Sequence, residues 1–269
     1  MNLSVNQISF MNLSYQVDQQ MLLNHVSGKF QSGQVHAILG QNGAGKSTLL
    51  RCLTKEWLPT EGAVQFSDRD LQSYSYAELA LQRAVLSQHN ELAFSFTVEQ
   101  LVSLGFETQQ TPWAERQMLE VLQVTDVSHL RDRDVLTLSG GEQKRVQLSR
   151  VLAQIWPSNY QNDFLSECFA GKWLFLDEWS EGLDLKHQIQ IGRLLRQWAK
   201  QGLGIVMISH DLNQVMQFTD TCLMMKAGKV FTQGSSLEVM TEDNLSELLD
   251  ISIKVLKLGG SDFPTVVAV

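Results

Sequence analysis

A glycine-rich octapeptide constrains the fold of this chain more strongly than any other feature of the sequence. Gly40 to Ser47 read GQNGAGKS, which matches the pattern G-x-x-x-x-G-K-[ST]. The run VHAILG before it predicts a buried parallel strand at 35–40, and a helix is expected from Lys46 to about Lys55. Glycines let successive backbone N–H groups turn toward an anion, and the following helix adds its positive N-terminal end. Strand, loop and helix in this order predict a phosphate-binding site.

The side chains of this loop indicate what it binds. Lys46 supplies a point charge suited to the β- and γ-phosphates of a nucleotide, and Ser47 offers a hydroxyl oxygen to Mg²⁺. The alternative is a chance match in a flexible loop, but a loop between a buried strand and a helix is the context that the motif requires. The predicted nucleotide ligands are Gly40, Gln41, Asn42, Gly43, Ala44, Gly45, Lys46, Ser47 and Thr48.

A second candidate element is an apolar run that ends in two carboxylates. The sequence WLFLDE at 173–178 predicts a strand whose end holds Asp177 near Mg²⁺. Glu178 points elsewhere and can polarise an attacking water as general base, an effect typically worth about 10²–10⁴ in rate. Apolar strands ending in Asp-Glu are common, so this interpretation depends on the phosphate loop.

The sequence LSGGEQ at 138–143 predicts a second anion-accepting helix start. Ser139 and Glu142 form a capping-box pattern ahead of a helix that runs to about Gln154, and Gly140 and Gly141 allow close approach of an anion. The alternative is a glycine-rich helix start between domains. Because this segment is far in sequence from the phosphate loop, it suggests that two surfaces meet around one nucleotide.

Strand-like and helical segments alternate along most of the chain, which predicts a parallel sheet covered on both faces. Further strands are predicted at 3–10, 14–16, 63–66, 83–87, 173–177, 204–209 and 251–258, with a hairpin around Ala227-Gly228. Further helices are predicted after a capping box of Thr97 and Gln100, from Thr111-Pro112 to about Leu122, near 187–200 and after Asp211. The block 89–154 reads as a helical lobe inserted into an α/β core.

Composition excludes several other classes of protein. Twenty-one Lys and Arg against 29 Asp and Glu give a net charge of −8, so no nucleic-acid partner is expected. The cysteines Cys52, Cys168 and Cys222 are far apart and are predicted to be reduced thiols rather than a zinc or redox site. No apolar run approaches the roughly 18 residues of a membrane span, and MNLSVNQISF does not resemble a signal peptide. A soluble, cytoplasmic chain is expected.

Taken together, LSGGEQ, the phosphate loop and LFLDE resemble the ATP-binding cassette (ABC) ATPases over nearly the whole chain. The resemblance implies an α/β fold: a P-loop NTPase core with a mostly parallel sheet, an N-terminal antiparallel β portion and an inserted α-helical subdomain. It places the nucleotide-binding core at 1–88 and 155–269 and the helical subdomain, which carries the signature motif, at 89–154. The implied activity is ATP hydrolysis, with ATP and Mg²⁺ as ligands.

The resemblance also assigns roles to single residues. Tyr15 matches the aromatic that stacks on adenine, Gln88 the Q-loop glutamine that senses Mg²⁺, and His210 the switch histidine at the γ-phosphate. Asp184 matches the aspartate of the D-loop (residues 180–184). The implied catalytic residues are Glu178 and His210, and the implied Mg²⁺ ligands are Ser47, Gln88 and Asp177. The remaining histidines are expected to be surface or core residues: His25, His36, His89, His129 and His187.

The partners follow from the resemblance as well. In this family two cassettes associate head to tail, so that each ATP lies between one phosphate loop and the other chain's Ser139, Gly140, Gly141 and Glu142. The implied partners are a second copy of this chain, two transmembrane permease subunits docking near the Q-loop, and indirectly a periplasmic binding protein. The implied location is the cytoplasmic face of the inner membrane, as a peripheral subunit.

Within the family, residues 88–105 resemble the Q-loop region of importers for iron chelates, haem and cobalamin. The long polar link at 155–172 is most similar to that of bacterial hemin importers, with ferric-siderophore and cobalamin importers as alternatives. Two positions depart from the family pattern. Trp179 stands where proline usually follows the catalytic glutamate. The D-loop reads Ser180-Glu181-Gly182-Leu183-Asp184, where small residues are commoner before the Leu-Asp pair.

Two competing hypotheses belong to other classes. A soluble ABC ATPase of chromosome maintenance needs a long coiled coil, and the sequence has no sustained heptads. A P-loop kinase or unrelated nucleotide switch does not account for LSGGEQ or ISHD.

Overall fold

A computed structural model describes residues 6–88, 94–106, 114–160, 167–257, 259–260 and 262–269 of the chain. In these ranges the strands are β1 (Gln7–Val17), β2 (Gln20–Gln31), β3 (Val35–Leu39), β4 (Glu61–Phe66), β5 (Arg69–Asp70), β6 (Arg83–Leu86), β7 (Trp173–Asp177), β8 (Gly204–Ile208), β9 (Thr221–Lys226), β10 (Lys229–Ser235), β11 (Ile253–Leu256) and β12 (Thr265–Ala268). The helices described are α1 (Lys46–Leu53), α2 (Tyr76–Ala80), α3 (Val98–Phe106), α4 (Ala114–Val124), α5 (Gly140–Ile155), α6 (Leu185–Lys200), α7 (Leu212–Phe218), α8 (Ser236–Val239) and α9 (Glu242–Leu249).

The central sheet has the order β10-β9-β3-β8-β7-β6 among the described strands, and it is parallel except for the β9–β10 hairpin. The loop and helix after β3 lie at its carboxyl end, which is where open α/β sheets bind ligands. The predicted α/β fold with a mostly parallel sheet is confirmed.

Both faces of this sheet are buried, as a parallel sheet requires. Along β7, Trp173 and Phe175 join the core beneath the N-terminal strands, whereas Leu174 and Leu176 join the core shared with the helical block. This alternation follows from the two-residue period of a strand. One strand therefore ties two hydrophobic cores together and ends at the candidate carboxylates.

The N-terminal strands form an antiparallel sheet of order β2-β1-β4-β5 within the described residues. The separate strands predicted at 3–10 and 14–16 are wrong in their division, because β1 continues through 11–13 with register shifts. Asn12 has a positive φ of 51°, which absorbs the irregularity without ending the strand. Residues 3–5 lie outside the described residues.

The strand β2 escaped prediction for a physical reason. Its most deeply buried residues are Leu23, Val26 and Phe30, and spacings of three and four residues are typical of a helix rather than a strand. His25 has a φ of 54°, and the β1–β2 register shifts across this stretch. The irregularity moves the side chains out of phase, so the two-residue period is lost from the sequence.

The helical block consists of α3, α4 and α5 in the described ranges. The capping box before α3 is confirmed, since Thr97 N donates to Gln100 Oε1 at 2.9 Å and Gln100 N donates to Thr97 Oγ1 at 3.2 Å. The proposed helix start at Thr111-Pro112 lies outside the described residues, and α4 begins at Ala114.

The long link at 155–172 is anchored by aromatic side chains where the structure describes it. The Trp156 ring lies 4.4 Å from Tyr160 and 5.9 Å from Trp198, centroid to centroid, and Phe169 packs edge-on against Trp156 at 5.7 Å. All four side chains are buried. Residues 161–166 lie outside the described residues.

The C-terminal part contains more structure than predicted. The strand expected at 251–258 is β11, shorter at both ends, and it pairs with β12, which like α8 and α9 was not predicted. Asn213 on α7 exchanges two hydrogen bonds with the backbone of Val266 and so ties β12 to the core. Across the described ranges, no helix combines the length and the apolar character needed to span a membrane.

Candidate functional site

The phosphate loop folds around its own lysine. Lys46 Nζ donates to the carbonyl oxygens of Gly40 at 2.9 Å and Gln41 at 3.0 Å, and the side chain is buried. Burial lowers the pKa of Lys46, and the nearby carboxylates of Glu178 and Asp177 oppose this effect. A cation is thus held at the start of α1, where the first backbone N–H groups of a helix have no acceptor within the helix itself.

Two glycines of the loop are required by close backbone contacts. A Cβ at Gly45, where φ is +96°, would lie 2.6 Å from the Leu22 carbonyl oxygen. A Cβ at Gly40 would lie 2.3 Å from the carbonyl oxygen of Met225. The loop therefore rests directly on β2 and β9, and only glycine allows that approach.

Asp177 ends β7 with its side chain buried. Its Oδ1 has no hydrogen-bond partner among the described residues, although Ser47 hydrogen-bonds the carboxylate. Burial raises the pKa of Asp177, the Ser47 hydrogen bond opposes the shift, and the neighbouring charge of Glu178 adds to it. A buried carboxylate oxygen without a partner is costly, and a cation is the usual compensation.

Glu178 is the point at which distant parts of the chain converge. Its Oε1 accepts a hydrogen bond from His210 Nε2 at 2.5 Å, and its Oε2 accepts one from Gln88 Nε2 at 2.5 Å. The residue has a positive φ of 53°, which is uncommon for a side chain of this size and is concentrated at functional sites. Gln88 lies 90 positions before Glu178 in the sequence and His210 lies 32 positions after it. The structure thus brings three predicted site residues together.

These residues line a cleft of about 600 Å³ at the end of the parallel sheet. Its lining is Leu22, Asn42, Gly43, Gly45, Lys46, Ser47, Thr48, Gln88, Glu178 and His210. A larger cleft of about 840 Å³ lies between β1, β2 and β10 and contains none of the predicted site residues. We therefore identify the 600 Å³ cleft as the candidate site.

The oxygen atoms at the cleft suit a divalent cation. Ser47 offers a hydroxyl, Gln88 an amide and Asp177 a buried carboxylate, and Mg²⁺ prefers such oxygen ligands. The orphaned Oδ1 of Asp177 is the observation that favours a cation there. In the part of the chain that is described, no group of three or more His, Cys, Asp or Glu residues could hold a metal by itself.

Tyr15 lies outside the lining of this cleft. Its ring stacks on Trp57 with 5.1 Å between centroids and 13° between planes. The guanidinium of Arg51 lies 4.4 Å from the centroid of Trp57. Sequence reasoning selected Tyr15 and missed Trp57, because nothing in the sequence links β1 to the turn after α1.

The LSGGEQ segment also lies apart from the cleft. Ser139 N donates to Glu142 Oε2 at 2.8 Å and Glu142 N donates to Ser139 Oγ at 3.4 Å, so the predicted capping box is confirmed. Ser139 and Gly140 are exposed, and neither they nor Gly141 and Glu142 line the cleft. Within one chain, the two predicted anion sites do not meet.

The D-loop aspartate and two of the remaining histidines have defined roles in the fold. Asp184 caps α6, with His187 N donating to its Oδ1 at 2.9 Å. His36 is buried, hydrogen-bonded to Thr221 and Gln31, and burial lowers its pKa to about 4. His187 is buried between two carboxylates, a contact that sequence reasoning missed. His89 lies outside the described residues.

Trp179, the departure beside Glu178, is part of the core. Its side chain is 1% exposed, and its indole Nε1 has no hydrogen-bond partner among the described residues. The cysteines are free thiols as predicted, and burial raises the pKa of Cys52 to about 12. Neither residue type contributes a group to the cleft lining.

Comparison with known proteins identifies close relatives. The ABC transporter family profile matches residues 23–156. The hemin import ATP-binding protein HmuV of Escherichia coli O157:H7 is 38% identical over 97% of this chain and 98% of its own length. The HmuV protein of Rhodopseudomonas palustris strain BisB5 is 38% identical over 90% of each chain.

Solved structures share the fold. A metal-chelate type ABC transporter in an inward-facing conformation matches with a TM-score of 0.79 at 23% identity, covering 98% of this chain and 97% of that one. The structure of cbiO1 from Clostridium perfringens, part of the ABC transporter complex cbiONQ, matches with a TM-score of 0.71 at 28% identity, covering 91% and 95% of the two chains.

Proposed function

The chain belongs to the ATP-binding cassette (ABC) transporter ATPase family, and on that premise we propose that it hydrolyses ATP to power hemin import. The observation that carries the catalytic part is the convergence of Gln88 and His210 on Glu178 beside the phosphate loop. Support for hemin comes from the relatives, which are named hemin import proteins and align over 90% or more of this chain. Ferric-siderophore or cobalamin import is the alternative.

In this proposal the phosphate loop binds the triphosphate. Lys46 turns from the carbonyls of Gly40 and Gln41 to the β- and γ-phosphates, and the N–H groups at the start of α1 bind phosphate oxygens. Asp177, Ser47 and Gln88 are the residues that hold Mg²⁺. When bound, Mg²⁺ neutralises phosphate charge and orients the oxygens. Tyr15, backed by Trp57, stacks on the adenine.

Glu178 acts as the general base that accepts a proton from the attacking water. Its carboxylate is already held by His210 on one oxygen and by Gln88 on the other, so its orientation is set before substrate arrives. His210 is half exposed, with a 46% accessible side chain, and can turn to the γ-phosphate. General-base catalysis of this kind contributes about 10²–10⁴ in rate.

The remaining parts of the site come from a second copy of the chain. The segment that lies at the ATP of the partner consists of Ser139, Gly140, Gly141 and Glu142, which agrees with its position outside its own chain's cleft.

The core comprises 1–88 and 155–269 and the helical subdomain 89–154. Two permease subunits dock beside Gln88 and the residues around 89–106, of which 89–93 lie outside the described residues. A periplasmic binding protein delivers the cargo, and the ATPase sits peripherally on the cytoplasmic face of the inner membrane.

The test is uptake of labelled hemin, ferric siderophore and cobalamin in source cells that carry Glu178→Gln. We expect selective loss of hemin uptake, because the variant retains ATP binding and loses the base. Lys46→Ala should abolish uptake because the variant does not bind ATP. Lys186 is exposed on α6, and Lys186→Ala is the control that should leave uptake unchanged. Loss of another cargo would correct the substrate. Normal uptake of all three with a variant inactive in vitro would refute the importer function.

A further inference from the structure

Two neighbouring side chains in the first turn of α6 contact three separate parts of the molecule. We propose that His187 and Gln188 are positioning residues that hold the D-loop (180–184) in a fixed place between the helical block and the segment that carries His210. This inference rests on the proposed ATPase function and deepens it. Neither residue lines the cleft, so each acts through the D-loop and not on substrate.

His187 links the D-loop to the helical block. Its Nδ1 lies 2.9 Å from Oδ1 of Asp184, and its Nε2 lies 3.3 Å from Oδ2 of Asp126. Each ring nitrogen thus faces a carboxylate oxygen, and the ring lies between Asp184 and Asp126. The hydrogen bonds from the backbone N–H and the ring of His187 lower the pKa of Asp184. Asp126 lies just after α4, so the ring bridges two lobes of the fold.

Gln188 links the D-loop to the other side of the site. Its Nε2 donates to the carbonyl oxygens of Leu183 at 2.8 Å and Ser180 at 3.2 Å, which closes the loop on the helix. Its Oε1 accepts a hydrogen bond from Gln214 Nε2 at 3.0 Å. Gln214 lies on α7, which begins two residues after His210. One side chain therefore ties the D-loop to the helix that follows the switch histidine.

The signature segment also packs on the D-loop within the same chain. A Cβ added to Gly141 would lie 3.1 Å from the carbonyl oxygen of Gly182, which is tighter than nine in ten real Cβ contacts. The D-loop thus contacts LSGGEQ directly and is linked to α7 through Gln188. With His187 and Gln188 in place, the D-loop and the segment that carries His210 move together with the helical block. Without these links, the helical block could move while the D-loop stayed where it was.

The decisive variants are chosen to remove these links without straining the backbone. His187→Ala removes the bridge, and Asp126→Gly removes its far end while tolerating the positive φ of 56° at that position. Asp126→Asn keeps an oxygen acceptor and also tolerates positive φ. Gln188→Ala removes the second link. Gln190→Ala, two residues further along α6 in the groove facing α4, is the control for loss of a glutamine.

We expect His187→Ala, Asp126→Gly and Gln188→Ala each to lower kcat for ATP hydrolysis by about 10-fold with KM within about twofold, because misplacement by an ångström costs up to about 100-fold in rate. The His187→Ala/Asp126→Gly double variant should be no slower than either single variant, since both break one bridge. Asp126→Asn should restore most of the rate. Additive losses, a rise in KM, or an equal loss in Gln190→Ala would overturn the inference.

A second measurement does not depend on activity. Hydrogen exchange of the D-loop amides should accelerate in His187→Ala and Gln188→Ala, while amides of the phosphate loop are unchanged. Equal D-loop exchange in wild type and variants would refute the positioning role. If the wild-type protein hydrolysed no ATP with its permease partners, the proposed function would fail, and the exchange result would still decide this inference separately.

Discussion

Asp177 shows how catalytic chemistry and stability conflict at a single residue. Its carboxylate is buried at the end of β7, with one oxygen unpartnered among the described residues and Glu178 beside it. Burial and that neighbouring charge raise its pKa. A raised pKa means that ionisation is less favourable in the folded than in the unfolded state, so the charge destabilises the nucleotide-free protein at neutral pH.

We therefore expect Asp177→Asn to raise the melting temperature of the nucleotide-free protein by roughly 2–4 °C, because it removes the buried charge and keeps the size. The same variant should lose the Mg²⁺ dependence of ATP binding. Calorimetry with and without Mg²⁺ and ATP measures both effects. A melting temperature below that of wild type would show that Asp177 is stabilising instead.

His36 gives a prediction for pH. Its ring is buried beside β9 and its pKa is lowered to about 4 from an ordinary 6.5. Between these values the unfolded chain binds the proton and the folded chain does not, so stability falls as pH falls from 6.5 to 4. The difference corresponds to about 3 kcal/mol.

The measurement is the free energy of unfolding in urea at pH 7 and pH 4.5, in wild type and in His36→Gln. The variant does not titrate at this position, so its loss of stability on acidification should be smaller than that of wild type. The comparison uses the change with pH, which is insensitive to any destabilisation by the substitution itself. Equal losses in both proteins would remove His36 as the cause.

At this scale the sequence was sufficient for residues whose motif carries its own context. Lys46 and Glu178 follow from the phosphate loop and from the apolar strand that ends in Asp-Glu, whereas Gln88 and His210 follow from the resemblance to the ABC family. All four are found around one cleft. His187 and Trp57 were not found, because their partners are distant in sequence and no local pattern encodes the contact. Their roles depend on tertiary packing.

At the scale of elements, the start of α5 combines a structural and a catalytic role. We expect Ser139→Ala to lower stability by about 0.5–2 kcal/mol through loss of the N-cap. The rate of ATP hydrolysis should also fall, by more than the loss of stability explains. ATP binding to the phosphate loop of the same chain should be unchanged. The measurements are denaturant unfolding, nucleotide titration and steady-state hydrolysis.

The chain offers a matched control for this change. Ser75 and Glu78 form another capping box at the start of α2, far from LSGGEQ in sequence. Ser75→Ala should produce the same kind of stability loss without the loss of hydrolysis. If both serine variants lowered hydrolysis equally, the effect of Ser139→Ala would reflect stability and not a composite site.

Elements with a regular period were predicted well, and irregular ones were not. The uniformly buried strands β3, β7 and β8 were found within a residue of their observed ends. Strand β2 was missed because its bulge gives buried positions a helical spacing. Regular hydrophobic periodicity is visible in a sequence, whereas a bulge is fixed by pairing with β1.

At the scale of the whole molecule, the separation of LSGGEQ from its own chain's cleft leads to a prediction of assembly. The mass of the Glu178→Gln variant in solution should rise from about 30.3 kDa to about twice that value when Mg²⁺ and ATP are added. The variant retains the γ-phosphate, and the phosphate loop of one chain and LSGGEQ of the other both bind it. Light scattering after size-exclusion chromatography measures this. Lys46→Ala and ADP are the controls expected to leave the monomer. A monomer at saturating ATP would contradict the composite site.

The stack of Trp57 on Tyr15 has a spectroscopic consequence. Of the five tryptophans in the described part of the chain, Trp57 alone is partly exposed, and the other four are buried. Among these five tryptophans, Trp57 is therefore the one whose indole ring a soluble quencher such as acrylamide can reach. A purine seated on Tyr15 changes the polarity and shielding around that indole, so nucleotide binding can be followed by quenching of native fluorescence, without a label and in every variant described above.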